Sequence, residues 1–153
     1  MVSQSLFSSN TDEWYTPQVF FEACEKEVGG FDLDPCATHE NRKAKNFFTL
    51  EDDGLLKEWF GKVFVNPPYS EINRAKRNGK TIYGWIEKCE RERERCERIY
   101  LLIPSRTDTK AFHNFLYNKP GVDLRFIKWR FKFWGAKNSA PFPSLLAIFT
   151  PNP

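Results

Sequence analysis

The sequence lacks the features that mark several broad protein classes. No apolar run reaches the ~20 residues of a membrane-spanning helix, and residues 1 to 12 show no basic start followed by an apolar stretch. The four cysteines have no Cys-x2-Cys spacing and the two histidines stand far apart, which argues against a structural zinc site. We therefore expect a reduced, cytoplasmic protein that binds no metal.

Aromatic and charged residues are plentiful. The 153 residues are 41% hydrophobic, 16% aromatic and 28% charged, with a net charge of +3, which is typical of one globular domain. The charge is uneven, because residues 121–153 hold five cations and one acid, and this favours a polyanionic partner. We expect a flexible arm over residues 1–11, a single domain over 12–150 and a tail over 151–153.

Alternating helix and strand patterns predict an α/β fold. Thr16 and Pro17 are interpreted as the N-cap and first residue of a helix that ends at Gly29. Further strands are predicted at 31–35, 46–49, 63–65, 99–103 and 144–149, and further helices at 81–98 and 109–117. The Glu and Arg run over 90–95 is interpreted as a solvated helix face. This order predicts a compact α/β sandwich with a mostly parallel central sheet and helices on both faces.

The most informative stretch is the apolar strand 63–65 and the tetrapeptide that follows it, Asn66-Pro67-Pro68-Tyr69. The two prolines lack backbone donors, so the carbonyls of Asn66 and Pro67 are left facing outward. The Asn66 amide and the Tyr69 ring stand beside those carbonyls. Hydrogen-bond acceptors next to a flat apolar face suit an amino group on a planar heteroaromatic ring.

Asp34 ends an earlier predicted strand and is the second candidate ligand group. Ligands of open α/β sheets bind outside the carboxyl ends of the strands. Asp34 and the tetrapeptide would then face one crevice, and Ser105 and Arg106 would reach its rim. The alternative for Asp34 is a side chain that only caps its own turn.

Two basic segments are candidate contacts for a polyanion. The period-two pattern over 123–133 predicts a strand with cations on one face and rings on the other. Taken alone, an edge strand with a solvated basic face explains this pattern equally well. A second basic cluster follows the tetrapeptide directly. The candidate contacts are Arg74, Lys76, Arg77, Lys80, Lys128, Arg130 and Lys132, with the rings Phe131 and Phe133.

Seven segments, taken in order, carry a family resemblance. They are Glu13-Trp14-Tyr15-Thr16-Pro17, Leu33-Asp34-Pro35-Cys36-Ala37, Asp53-Gly54-Leu55, Trp59, Asn66-Pro67-Pro68-Tyr69, Leu102-Ile103-Pro104-Ser105-Arg106-Thr107-Asp108-Thr109-Lys110 and Pro141-Phe142-Pro143-Ser144. Over roughly residues 12 to 150 the chain resembles the small phage-type, Dam-like DNA N6-adenine methyltransferases. The resemblance implies an abbreviated class I (Rossmann-like) fold, S-adenosylmethionine as cofactor and DNA as partner.

The resemblance also implies a role for each matching residue. The catalytic loop is Asn66, Pro67, Pro68 and Tyr69, with Tyr69 stacking on the flipped adenine and Phe131 or Phe133 as the opposite wall. His39-Glu40-Asn41 stand where many methyltransferases place Gly-x-Gly, so the donor contacts there depart from the usual pattern. The implied donor-binding residues are Thr16, Pro17, Asp34, Pro35, Cys36, Ala37, Asp53, Gly54, Leu55 and Asn66.

Two alternatives stay open at this point. The same tetrapeptide occurs in methyltransferases that act on RNA or on protein glutamine. The missing Gly-x-Gly leaves open a non-catalytic nucleic-acid-binding module that has lost the donor site. The order of the outer motifs favours DNA. The chain has little room for a recognition domain, so its specificity is short or relaxed, or is provided by a homodimer. A phage-encoded enzyme of this kind would act in the host cytoplasm, in restriction-modification or anti-restriction.

Overall fold

A computed structural model describes residues 15–69, 82–133 and 137–153. Their elements form one six-stranded sheet with helices packed on it, and the strand order is β2-β1-β3-β4-β6-β5. Short 3-10 turns cover Gly54–Leu56 and Arg93–Arg95, and a π-helix covers Phe112–Leu116. The main elements are α1 (Gln18–Val28), β1 (Leu33–Asp34), β2 (Asn46–Phe47), β3 (Gly61–Val65), α2 (Ile82–Glu92), β4 (Cys96–Pro104), β5 (Val122–Phe126) and β6 (Ser144–Phe149).

The strand directions confirm the predicted, mostly parallel sheet. Strands β1 to β4 are parallel to one another, and β6 is antiparallel to both β4 and β5. Five of the six strands therefore run the same way. From β1 the chain first adds β2 on one side and then β3 on the other, so the strand order reverses between β1 and β3. Ligands of such sheets bind at this switch point.

Each face of the sheet carries its own apolar layer. Phe21 and Cys24 of α1 pack in one cluster with Phe64 of β3, whereas Trp85 and Cys89 of α2 pack in the other cluster. Successive side chains of β4 alternate between the two clusters, as the period of a strand requires. The helices therefore cover both faces, as predicted.

The second predicted helix is shorter than expected. It ends at Glu92, and Cys96 already belongs to β4. The interpretation of residues 90–95 as a solvated face is wrong at Glu92, which is 4% exposed, and at Arg93, which is only 2% exposed. Its guanidinium donates to the carbonyls of Thr150 at 2.7 Å and Pro120 at 2.8 Å. The buried guanidinium needs acceptors, and sequence spacing does not reveal such a tertiary requirement.

The strand predicted over 123–133 is also shorter than expected, because β5 ends at Phe126. The last contact with β6 is Ile127 N–H donating to the Ser144 carbonyl at 3.0 Å. Pro143 precedes β6 and has no N–H with which to extend the ladder. The expected alternation of cations and rings on two strand faces is therefore wrong for residues 127–133.

Candidate active site

Asn66 follows β3 at the switch point, and protein groups hold both ends of its side-chain amide. Its Nδ2 donates to the Thr16 hydroxyl at 3.0 Å, and its Oδ1 accepts from the Tyr69 hydroxyl. Thr16 itself is 3% exposed. The amide oxygen of Asn66 is thus oriented toward Tyr69.

Thr16 does not cap α1, contrary to the prediction. The N-cap is Pro17, and α1 has no side-chain cap. The Thr16 hydroxyl is bonded to Asn66 instead. The segment before α1 is therefore tied to the tetrapeptide 50 residues later in the chain, a link that sequence reasoning missed because capping patterns consider only local partners.

The Tyr69 ring is turned toward the protein. It meets Phe142 and Phe133 edge to face, with ring centroids 5.5 and 6.3 Å apart. The Leu102 carbonyl oxygen lies 3.0 Å from the Tyr69 hydroxyl and is a second acceptor for its single proton. Burial raises the pKa of Tyr69 well above its ordinary value, so the phenol keeps its proton. In this conformation the Tyr69 hydroxyl is bonded to Asn66 Oδ1. The sequence predicts that this oxygen accepts from the amino group of the substrate.

Asp34 stands at the carboxyl end of β1 and is 4% exposed. Its Oδ1 accepts from the backbone N–H of Cys36 at 3.2 Å, and its Oδ2 accepts from that of Lys43 at 2.9 Å. Burial raises its pKa to about 6, although these two hydrogen bonds act in the opposite direction. The carboxylate shapes its own loop, as the alternative for Asp34 foresaw, and its contact with a donor stays a prediction.

The second predicted donor segment lies directly against the first. A Cβ added at Gly54 would stand 2.0 Å from the Pro35 carbonyl oxygen, so only glycine permits this approach. The Trp59 indole donates to the Gly54 carbonyl at 2.9 Å. Asp53 has a φ of 59° and accepts from the N–H of Leu55 at 3.2 Å. The segments 34–37 and 53–55 therefore form one wall beside β1.

The turn that lacks Gly-x-Gly is closed by side chains. Thr38 N–H donates to Asn41 Oδ1 at 2.7 Å, and Asn41 N–H donates to Thr38 Oγ1 at 3.1 Å. This reciprocal pair satisfies backbone donors that a glycine-rich turn would leave open to a ligand. The departure seen in the sequence thus corresponds to a self-contained turn.

The predicted DNA contacts are only partly brought together. Ser105 and Arg106 follow β4 at the edge where Asn66 lies, and Ser105 N–H donates to the Pro143 carbonyl at 2.8 Å. Lys128, Arg130 and Lys132 are exposed. Arg74, Lys76, Arg77 and Lys80 lie outside the described residues, as does the arm predicted over 1–11.

Phe131 and Phe133, the two candidates for the wall opposite Tyr69, are less accessible than expected. Phe133 is 1% exposed and packs against Tyr69 and Phe142, so the interpretation of it as a wall for a base is wrong in this conformation. Phe131 is half-buried and meets the Phe20 ring at 4.9 Å. Trp129, which was not selected from the sequence, is 78% exposed. Its position between Lys128 and Arg130 is the signal that could have identified it.

Residues 15–69, 82–133 and 137–153 contain no group of three His, Cys, Asp or Glu side chains that could hold a metal ion. No helix in this part of the chain is long and apolar enough to cross a bilayer.

Comparison with known proteins agrees with this geometry. Residues 3–146 match the family described as DNA N-6-adenine-methyltransferase (Dam). A DNA N-6-adenine-methyltransferase of Haemophilus phage HP1 is 40% identical over 148 residues, covering 82% of this chain and 84% of that protein. Another, of Escherichia phage T1, is 31% identical over 104 residues, covering 66% of this chain and 39% of that protein.

A solved structure shows the same fold. The crystal structure of a proposed RNA methyltransferase from Pyrococcus horikoshii superposes with a TM-score of 0.61 and 12% identity, over 95% of this chain and 90% of that one. At this identity the likeness concerns the fold alone, and it confirms the expected Rossmann-like methyltransferase architecture. Together with the family match over residues 3–146, it leads to one conclusion: the chain belongs to the Dam family of DNA N-6-adenine-methyltransferases.

Proposed function

We propose that the protein transfers a methyl group from S-adenosylmethionine to N6 of adenine in DNA. The observation that carries the proposal is the position of Asn66. Its oriented amide oxygen lies at the carboxyl end of β3, at the switch point of the sheet, in a chain of the Dam family. A site for an exocyclic amino group needs this kind of fixed acceptor.

The tetrapeptide is assigned the activation of the amino nitrogen. The lone pair of the adenine amino group is delocalised into the ring, so the nitrogen is a poor nucleophile. Asn66 Oδ1 and the Pro67 carbonyl would accept hydrogen bonds from its two N–H groups and so favour a pyramidal nitrogen. Alignment of this nitrogen with the methyl group would lower the barrier further. Thr16 would keep the Asn66 oxygen turned toward the substrate.

The residues beside β1 fit a nucleoside-type donor. Gly54 lets segment 53–55 lie against Pro35, Leu55 packs in the core beneath this wall, and Asp34 and Asp53 are the candidate carboxylate acceptors. We therefore assign donor binding to the wall formed by 34–37 and 53–55. When bound, S-adenosylmethionine supplies an electrophilic methyl group on a sulfonium.

We assign to Tyr69 the control of adenine entry into the site. The base must leave the duplex stack at a cost of a few kcal/mol, and the Tyr69 hydroxyl must release Asn66 Oδ1 before the amino group can bind there. The freed ring is then the candidate stacking face for the base. Since its phenol stays neutral, this exchange moves no charge.

Radioactive methyl transfer tests the proposal. Purified protein and tritiated S-adenosylmethionine are incubated separately with duplex DNA, RNA and a protein extract, and labelled DNA is digested to nucleosides. Label in N6-methyladenine from DNA alone is expected. Label mainly in RNA or protein would overturn the substrate assignment, and a protein that binds DNA but shows no donor binding by calorimetry would be a binding module.

A further inference from the structure

Trp129 lies beyond the carboxyl end of β5, at the same edge of the sheet as Asn66. Strand β5 runs parallel to β3, and Phe126 at its end is level with Leu145 of β6, which in turn faces Ile103 of β4. Strand β5 is the third strand from β3, so the lateral distance is roughly 14 Å. That equals about four base-pair steps of DNA.

The backbone holds Trp129 in an unfavourable exposed position. Its φ is 68°, in the left-handed region, where a bulky residue is a genuine outlier. Its side chain is 78% exposed, although burial of an indole is normally favourable. Such backbone conformations persist only when the surroundings over-determine them, and they cluster at functional sites.

Aromatic contacts anchor the residues that follow Trp129. Phe131 meets Phe20 of α1 at 4.9 Å and Phe133 at 5.6 Å, and Phe133 meets Tyr69. The Phe131 carbonyl accepts from the N–H of Ala140 at 2.7 Å. The segment that carries Trp129 is thus fixed to the same aromatic cluster as the catalytic loop.

The charges around Trp129 suit a nucleic acid. Lys128 Nζ lies 5.1 Å from the centroid of the Trp129 ring, and Lys128, Arg130 and Lys132 are exposed. An exposed ring flanked by cations combines a stacking platform for a base with contacts to phosphates.

We propose that Trp129 stacks on a base whose face is exposed where the substrate DNA opens, within about four steps of the target adenine, while the neighbouring cations contact phosphates. The inference rests on the proposed function for its partner, DNA. It gives this small chain a contact with the bases that does not require a separate recognition domain.

The test compares DNA affinities of the full-length protein and its variants by fluorescence anisotropy across a salt series. Trp129→Ala is expected to weaken duplex binding by about 5- to 150-fold, the loss of one base–aromatic stack. The salt slope should not change, because every phosphate-binding cation is kept. Trp129→Phe should recover part of the affinity.

The matched control is Tyr117→Ala. Tyr117 is an aromatic residue that is 56% exposed and lies near the start of β5, at the opposite edge of the sheet. This variant should bind DNA like the wild type, and Trp129→Ala should bind S-adenosylmethionine like the wild type.

Three results would overturn the inference. They are wild-type DNA affinity for Trp129→Ala, a salt slope reduced by about 0.9 in that variant, or a change confined to its self-association in sedimentation. Methyl transfer by the wild-type protein is measured in parallel. If the wild type methylates DNA and Trp129→Ala binds DNA normally, only the stacking inference fails. If the wild type binds DNA but does not methylate it, the proposed function fails while the stacking result is read independently.

Discussion

The Asn66 loop and residues 127–133 lie at the same edge of the sheet but present their side chains differently. Both ends of the Asn66 amide are bonded within the protein, and the Tyr69 ring packs on aromatic neighbours. Trp129 and the cations beside it face solvent instead. The comparison indicates that the proposed Asn66 acceptor is oriented in advance but covered by Tyr69, whereas the proposed DNA surface around Trp129 is already open to a partner.

Removing the preformed acceptor should have the largest effect. Asn66→Ala is expected to abolish methyl transfer while leaving S-adenosylmethionine affinity nearly unchanged, because the variant loses an acceptor for the target amino group. Tritium transfer and calorimetry measure the two quantities. The control is Asn114→Ala, an exposed Asn in the π-helix, which should retain activity. A tenth of wild-type turnover in Asn66→Ala would count against the assigned role.

The exposed cations should have the next largest effect, but on binding alone. Replacing Lys128, Arg130 and Lys132 by Gln is expected to weaken DNA binding by about 10- to 100-fold and to reduce the salt slope by about 0.9 for each cation that binds a phosphate. Since phosphate contacts carry no base information, all DNA sequences should be affected alike. Anisotropy titrations at several salt concentrations provide the measurement. A variant with the parent affinity and slope would show that these cations are only solvated.

Thr16 offers a finer test of the preformed centre. Thr16→Val keeps the side-chain shape but removes the hydroxyl that holds Asn66 Nδ2, so kcat should fall by about 5- to 10-fold, the worth of one hydrogen bond. Thr16→Ser should restore the activity. The family resemblance implies a donor contact for Thr16 instead. Weakened S-adenosylmethionine binding with an unchanged kcat would favour that role and contradict positioning.

The sequence predicted features that local chemistry determines. Asn66 with its prolines and Asp34 at a strand end each owe their position to nearby backbone constraints, and the parallel sheet follows from the alternation of elements. Arg93 and Phe133 were misjudged because distant partners decide their burial: the Thr150 and Pro120 carbonyls for Arg93, and the Tyr69 and Phe142 rings for Phe133. A period-two pattern could not show that β5 ends where its ladder partner is a proline.

The smallest expected effect is on stability and comes from the titration of Asp34. Its pKa is raised from 3.8 to about 6 in the folded protein, so the protonated form is favoured by folding. The stabilisation is complete below pH about 4 and is lost as the pH rises through about 6, by at most ~2–3 kcal/mol.

Urea unfolding of the wild type and Asp34→Asn from pH 4 to pH 7 isolates this contribution. The stability of the wild type relative to the variant should decrease as the pH rises. A relative stability that increases with pH would mean that the backbone amides of Cys36 and Lys43 keep Asp34 charged, with a pKa below 3.8.

A crystal structure with S-adenosylhomocysteine, the demethylated form of the donor, would test the central claim most directly. The claim is that the switch point between β1 and β3 holds the donor beside the Asn66 loop. The ligand is predicted to lie against residues 34–37 and 53–55, with its sulfur facing Asn66. Density elsewhere, for example in the groove between the π-helix and β5 that Phe112 and Leu124 line, would contradict the account.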